Sequence, residues 1–158
     1  MDSIERLVRR NAFELSGIFG FEPGGTVYTR VNRLAVSDGM VGYALDALKE
    51  GFFGEQAEKL ILVEYQALTR APRETLRHLY ELLGEPYFEH DFENVDYAAE
   101  EFDIALGTRG LHNIRRKLEY IERQTVLPPE LFARFADDMF WRVPALNIRN
   151  VPIISYQG

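Results

Sequence analysis

Leu60-Ile61-Leu62-Val63-Glu64-Tyr65 is the stretch on which the fold turns. It is short, nearly continuous in apolar residues and bounded by polar ones. That is the pattern of a strand covered on both faces, as in a parallel sheet. Such a strand needs neighbours. The other candidate is Val151-Pro152-Ile153-Ile154-Ser155-Tyr156, a closing strand whose proline suits an edge. Two strands alone make a marginal sheet. Either the run at Leu60 is helical, or its partner strands lie on polypeptide missing from this chain. The second is the sharper expectation, and it implies that Met1 is not the natural start of the fold.

Helices are expected on either side. After a loop, Pro72 sits where a first helical turn tolerates proline, and Leu76, Leu79, Tyr80 and Leu83 form an amphipathic stripe stopped by Gly84 and Pro86. Upstream, Ser37-Asp38 caps a helix with Met40, Tyr43, Ala44, Ala47 and Leu48 at helical spacing and Gly51 as its C-terminal cap. Asp2-Ser3-Ile4-Glu5 reads as a capping box opening a helix to about Asn11, with Arg6, Arg9 and Arg10 on it. Phe21-Glu22-Pro23-Gly24-Gly25 is a turn. Pro128-Pro129-Glu130 opens a last helix with Leu131, Phe132, Phe135 and Met139 on its apolar face. No repeat, low-complexity segment or linker divides the 158 residues, so one domain over 1–158 is expected.

The composition narrows the function. With 46% hydrophobic and 13% aromatic residues, the chain can bury a core, which rules out disorder over most of its length. The absence of cysteine excludes a disulfide scaffold, a thiolate zinc site and a cysteine nucleophile. His78, His90 and His112 are too scattered for a helical metal pair, so no metal is expected. No apolar run approaches a membrane span, and the charged N-terminus lacks a signal-peptide segment. The expectation is a cytoplasmic protein without a membrane span. A net charge of −7 repels nucleic acid unless the basic residues are segregated.

They are partly segregated. His90 to Asp103 is acidic and aromatic; then Arg109, Arg115, Arg116 and Lys117 follow with no acid among them. They lie in Leu106-Gly107-Thr108-Arg109-Gly110-Leu111-His112-Asn113-Ile114-Arg115-Arg116-Lys117. Two glycines let backbone approach a ligand closely, Thr108, His112 and Asn113 can hydrogen-bond, and guanidinium forks suit a phosphate or phosphosulfate group. The competing reading is a surface loop whose cations neutralise the acidic stretch before it. Four cations on so acidic a chain make a weak nucleic-acid footprint, so no nucleic-acid partner is expected. His78 is read as an exposed or half-buried helix residue and His90 as a partner of a carboxylate. His112 alone lies beside glycines and cations. There is no Gly-Lys-Ser/Thr phosphate loop, which disfavours a nucleotide kinase relative, and no serine-hydrolase elbow.

Leu62-Val63-Glu64-Tyr65-Gln66-Ala67-Leu68, then Pro72, Leu76, Leu79-Tyr80, Leu83-Gly84 and Pro86, resemble a segment of the sulfotransferase family. The family's strand ends in Tyr-Glu-Asp-Leu, where this chain reads Tyr-Gln-Ala-Leu. Phe102-Asp103, Leu106 to His112, Leu127-Pro128-Pro129 and Phe140-Trp141-Arg142 resemble a bacterial branch of it, in which proline more usually stands at the position of Arg109. The resemblance runs from Asp2 to about Arg142.

It implies an α/β fold, part of a P-loop-kinase-like sulfotransferase fold, mostly helical here with one or two parallel-type strands. The implied chemistry is transfer of a sulfuryl group from 3′-phosphoadenylyl sulfate to a hydroxyl or amine of a small-molecule or saccharide acceptor, releasing adenosine 3′,5′-bisphosphate. The implied nucleotide contacts are Ser3 for the 3′-phosphate, Tyr65 near the adenine, and Gly107, Thr108, Arg109, Gly110, Leu111 and His112 with Arg115 as the loop closing over the 3′-phosphate. The family's phosphosulfate-binding loop, its lysine and its usual base should precede Met1. No catalytic residue is therefore expected in this chain, which would be the C-terminal part of the domain and inactive alone. The rival is a non-catalytic helical interaction module or oligomerising domain, whose apolar surface serves a partner or a second copy.

Overall fold

Of the run at 60–65, Leu62–Val63 pairs as a strand, β1. It lies parallel to Ile153–Ile154, β2, with Leu62 opposite Ile153 and Val63 opposite Ile154. The Leu62 amide donates to the Pro152 carbonyl at 2.9 Å and the Glu64 amide to the Ile154 carbonyl at 3.0 Å. Pro152 contributes only its carbonyl there, so its missing N–H costs the ladder nothing. The strand expected from the sequence is thus present at its centre and parallel in sense. Its burial is not as expected: Leu62 and Val63 are half-buried. Glu64 ends the strand, and Tyr65 already starts a helix.

The computed structural model describes residues 1–10, 19–22, 24–97, 100–105, 109–110 and 112–157. They divide into two units, residues 1–57 with 123–149 and residues 58–122 with 150–158. The described chain is mostly helical with a two-stranded parallel sheet, α/β in the coarse sense.

The first unit contains α1 (Asp2–Arg10), α2 (Val27–Ala35), α3 (Met40–Phe53) and α7 (Pro129–Ala136). The capping box is corrected here. Asp2 is the first helical residue, and its carboxylate accepts from the Thr125 hydroxyl (2.8 Å) and the Val126 amide (2.7 Å), tying α1 to the segment before α7. Glu5 does not reach back to the cap. It is 2% exposed and holds two guanidinium groups, Arg9 Nε at 2.9 Å and Arg30 Nε and Nη2 at 2.8 and 2.7 Å. Burial would raise its carboxyl, but the bonds from Arg30 and Arg9 outweigh burial and hold it below the usual range. Val31, Leu127 and Leu131 form a core with Val27 and Phe135 packed against it.

α2 has no counterpart in the sequence reading. It is capped by Thr26, whose hydroxyl accepts from the Thr29 amide. α3 exists as expected, but its cap is Gly39, it runs past Gly51 to end at Gly54, and its buried positions are Gly42 and Phe52. Met40 and Tyr43, two of the apolar positions at helical spacing, are 54% and 69% exposed. Ser37 and Asp38 form the turn before it, with Asp38 paired to Arg33 at 2.8 Å. Phe52 instead meets Phe140 edge-on, with ring centroids 5.2 Å apart. α7 places Leu131 inside, while Phe132 is 49% exposed and Met139 lies beyond its end.

In the second unit, α4 (Tyr65–Arg70) follows β1 at once, and α5 (Pro72–Leu83) follows α4 after Ala71. The sequence read α4 as a loop. α5 matches its expectation: Pro72 is in the first turn, and Gly84 closes the helix in the left-handed region at φ 69°. α6 (Glu100–Ala105) lies downstream. Between them, Tyr80, Tyr87, His90 and Phe92 pack ring against ring, and Arg70 sits 3.9 Å from the Tyr120 ring and 5.3 Å from that of Tyr156.

Candidate functional site

The loop after α6 is organised by Asp103. That residue is buried at the inner side of α6 with no exposed surface. Its Oδ2 accepts from the His112 amide at 3.0 Å and its Oδ1 meets His112 Nδ1 at 2.5 Å. The Gly110 amide also hydrogen-bonds to this carboxylate, and Gly110 itself takes φ 79°, a conformation glycine adopts without strain. A short helix thus ends beside a turn whose amides and imidazole converge on one buried acid.

Burial alone would raise the Asp103 carboxyl. The hydrogen bonds from the His112 ring, its amide and the Gly110 amide more than offset this, so the group is held below the ordinary aspartate range. An ionised Asp103 can only accept, so His112 Nδ1 carries a proton and donates it to this carboxylate. His112 is 44% exposed, and the Phe102 ring packs against it at 5.3 Å. The result is an imidazole held in direction by Asp103 and Phe102 and part-exposed to solvent.

Gly107, Thr108 and Leu111 lie outside the described residues. Arg109 and Arg115 are exposed, as is Arg116. Arg115 Nη1 lies 3.5 Å from Glu119, a loose and solvated pair, and Lys117 pairs with Glu93 at 2.9 Å. The Val95 amide donates to the Arg116 carbonyl and the Leu118 amide to the Phe92 carbonyl, so the cationic segment is tied to the acidic one by backbone hydrogen bonds. Of these two pairs only that of Lys117 neutralises the acidic stretch, since Glu119 lies beyond the loop. Arg109 and Arg116 have no ion pair among the described residues.

Tyr65 stands two residues past the end of β1 and is 67% exposed, a ring near the carboxyl end of a parallel strand. Ligands of parallel sheets gather at that end. A cavity of about 300 Å³ lies beside the residues after β2, lined by Glu74, Thr75 and His78 of α5 and by Ser155 and Gln157. The sequence reading gave none of these residues a role in binding; His78 it placed as an ordinary helix residue, and the structure finds it exposed. Ser3 belongs to the other unit, exposed in the first turn of α1 between Asp2 and Glu5. Two carboxylates beside it weaken the appeal of this helix start to an anion.

His90 departs from its expectation: its Nε2 lies 3.1 Å from the Tyr80 hydroxyl, not on a carboxylate. Asp103 is the residue that sequence reasoning missed. It was noted only within the Phe102-Asp103 pattern, although an acid nine positions before a histidine, with glycines between, is the signal for such a clasp. Among the described residues no group of three His, Cys, Asp or Glu side chains could hold a metal ion. None of the described helices is long and apolar enough to cross a membrane. No family model, curated protein or solved structure matches the chain.

Proposed function

We propose that the chain is part of a sulfotransferase-type protein with a P-loop-kinase-like sheet, and that its loop at 107–112 with Arg115 binds the 3′-phosphate of 3′-phosphoadenylyl sulfate. One observation carries this reading. Buried Asp103 clasps Gly110 and His112, so that an oriented imidazole stands in the same turn as exposed Arg109 and a few residues before Arg115. The charged donors are the Arg109 and Arg115 guanidinium groups, and guanidinium forks beside a pre-set turn suit a phosphate monoester. Tyr65 at the end of β1 adds a free aromatic face for a purine.

In the reaction, an acceptor hydroxyl or amine loses its proton to a base and attacks sulfur in line. A new S–O or S–N bond forms, the bond from sulfur to the phosphate oxygen breaks, and adenosine 3′,5′-bisphosphate departs with that electron pair. The residues named here bind and orient the nucleotide; none is assigned a chemical step.

Calorimetric titration of adenosine 3′,5′-bisphosphate, with adenosine 5′-monophosphate for comparison, tests the assignment. Wild-type protein should prefer the bisphosphate, and Arg115→Ala should weaken it about ten-fold, or 1.4 kcal/mol. Wild-type binding no tighter than the variant's, or no preference for the 3′-phosphate, overturns it.

A second reading rests on Met40 and Tyr43, which α3 holds out to solvent. Adjacent exposed apolar side chains suit an interaction module or an oligomerising face. Light scattering after size exclusion decides: a monomer unchanged by Tyr43→Ser removes this reading.

A further inference from the structure

Glu74, Thr75 and His78 of α5 and Ser155, Tyr156 and Gln157 after β2 line the cavity of about 300 Å³ in the second unit. None of these six side chains makes a hydrogen bond or ion pair among the described residues. Thr75 decides what that means. It is 4% exposed, and a hydroxyl so deep ordinarily has a partner. The Thr69 hydroxyl bonds back to the Tyr65 carbonyl at 2.7 Å, whereas that of Thr75 makes no such bond. The cavity it lines is where a partner can come from. We propose that this cavity binds one monosaccharide, an uncharged six-membered ring bearing several hydroxyl groups. The site shares no residue with the loop at 107–112 or with Arg115 and does not rest on the nucleotide reading.

Size fits such a ligand. A cavity of roughly 150 Å³ holds a bare six-membered ring, and a water takes about 30 Å³, so twice the bare-ring volume accommodates the ring with its hydroxyls. Charge does not choose the ligand. Glu74 is the acid of the lining, and the Arg70 guanidinium stands 5.3 Å from the Tyr156 ring, so the two offset one another. Selection falls to hydrogen bonds. A sugar hydroxyl both donates and accepts, and so do the Thr75 and Ser155 hydroxyls. The Glu74 carboxylate accepts in a charge-assisted bond, and the Gln157 amide offers an acceptor beside two donors. Tyr156, steadied by Arg70, adds an aromatic wall for the C–H face of the ring. A few convergent polar groups around a concave site are the usual design of a small-molecule pocket.

The test is NMR titration of the full chain with D-glucose, D-galactose and D-mannose, and with cyclohexanol as the ring of one hydroxyl. At least one hexose should shift the amide signals of residues 74–78 and 155–157 saturably, at roughly millimolar concentration. Cyclohexanol should bind at least about ten-fold more weakly, lacking most of the hydrogen bonds. Thr75→Val should weaken the hexose about three- to ten-fold. Gln157→Ala, at an exposed position that does not threaten the fold, should do the same. Glu81→Ala, on α5 but outside the cavity, should change nothing. No shift with any hexose up to about 50 mM overturns the proposal, the cavity then holding water alone. So does hexose binding unchanged by both Thr75→Val and Gln157→Ala, or cyclohexanol binding as tightly as the sugar. Displacement of the hexose by adenosine 3′,5′-bisphosphate also overturns it, because the cavity then belongs to the nucleotide.

Discussion

Glu5 and Asp103, the buried carboxylates among the described residues, contribute to how this chain responds to acid. Glu5 is shut away with Arg30 and Arg9, and Asp103 with His112 and the Gly110 amide. Both titrate below their ordinary values when folded. In the unfolded chain they titrate near pH 4, so as pH falls the unfolded state takes up protons first. The stability they contribute is fully present above about pH 4 and is lost as pH drops through their depressed folded values. Urea midpoints should therefore hold steady from pH 7 to 5 and fall below about pH 4. Glu5→Gln should cost about 2 kcal/mol at pH 7, because Arg30 is left facing a neutral partner, and should flatten the acid limb. Asp103→Asn should weaken adenosine 3′,5′-bisphosphate by about three- to ten-fold and release the His112 tautomer, read from its ring nitrogen shifts by NMR. A nucleotide affinity unchanged by Asp103→Asn would separate the clasp from the proposed site.

At the scale of the elements, local signals and long-range ones part company. α5 was legible because both its ends are written locally, proline inside the first turn and glycine just past the last. α1 was legible as a helix, but its acids were misassigned. Asp2 and Glu5 bind Thr125 and Arg30, partners no local spacing encodes. α3 was found with the wrong face inward: apolar residues occur around most of its girth, so spacing alone could not choose between Tyr43 and Phe52. The choice comes from Gly42. A Cβ there would lie 2.1 Å from the Val36 carbonyl oxygen, so the turn between α2 and α3 closes only on a glycine. Gly42→Ala should cost about 1–3 kcal/mol despite alanine's better helix propensity. At Gly84 nothing obstructs a Cβ, so Gly84→Ala should cost about 1 kcal/mol from backbone conformation alone. Thermal melts of the two variants compare a steric penalty with a conformational one.

For the whole molecule, the sequence made the parallel strand, the cationic loop and an excess of acid visible. The clasp behind the loop stayed hidden, since a buried aspartate in an acidic run looks like any other surface acid until the fold shuts it away. The cavity after β2 was hidden too, because it is assembled from α5 and residues far along the chain. Binding of the bisphosphate should raise the melting temperature, with about 2.7 kcal/mol of added stability at a ligand concentration one hundred times Kd. Raising salt from 50 to 200 mM should reduce that gain, because the contacts are ionic. A polyanion without adenosine, such as heparin, should give a smaller shift on so acidic a protein.

The pairing of β1 with β2 also sets an order of events during synthesis. Leu62 leaves the ribosome long before Ile153 exists, and more than half the chain is made in between. At about 5–20 residues per second, the nascent polypeptide carries an unmatched apolar edge for several seconds. Chaperone capture, aggregation and pausing all act within that interval. A translational stall upstream of codon 153 would therefore prolong the most vulnerable stage in the life of this protein.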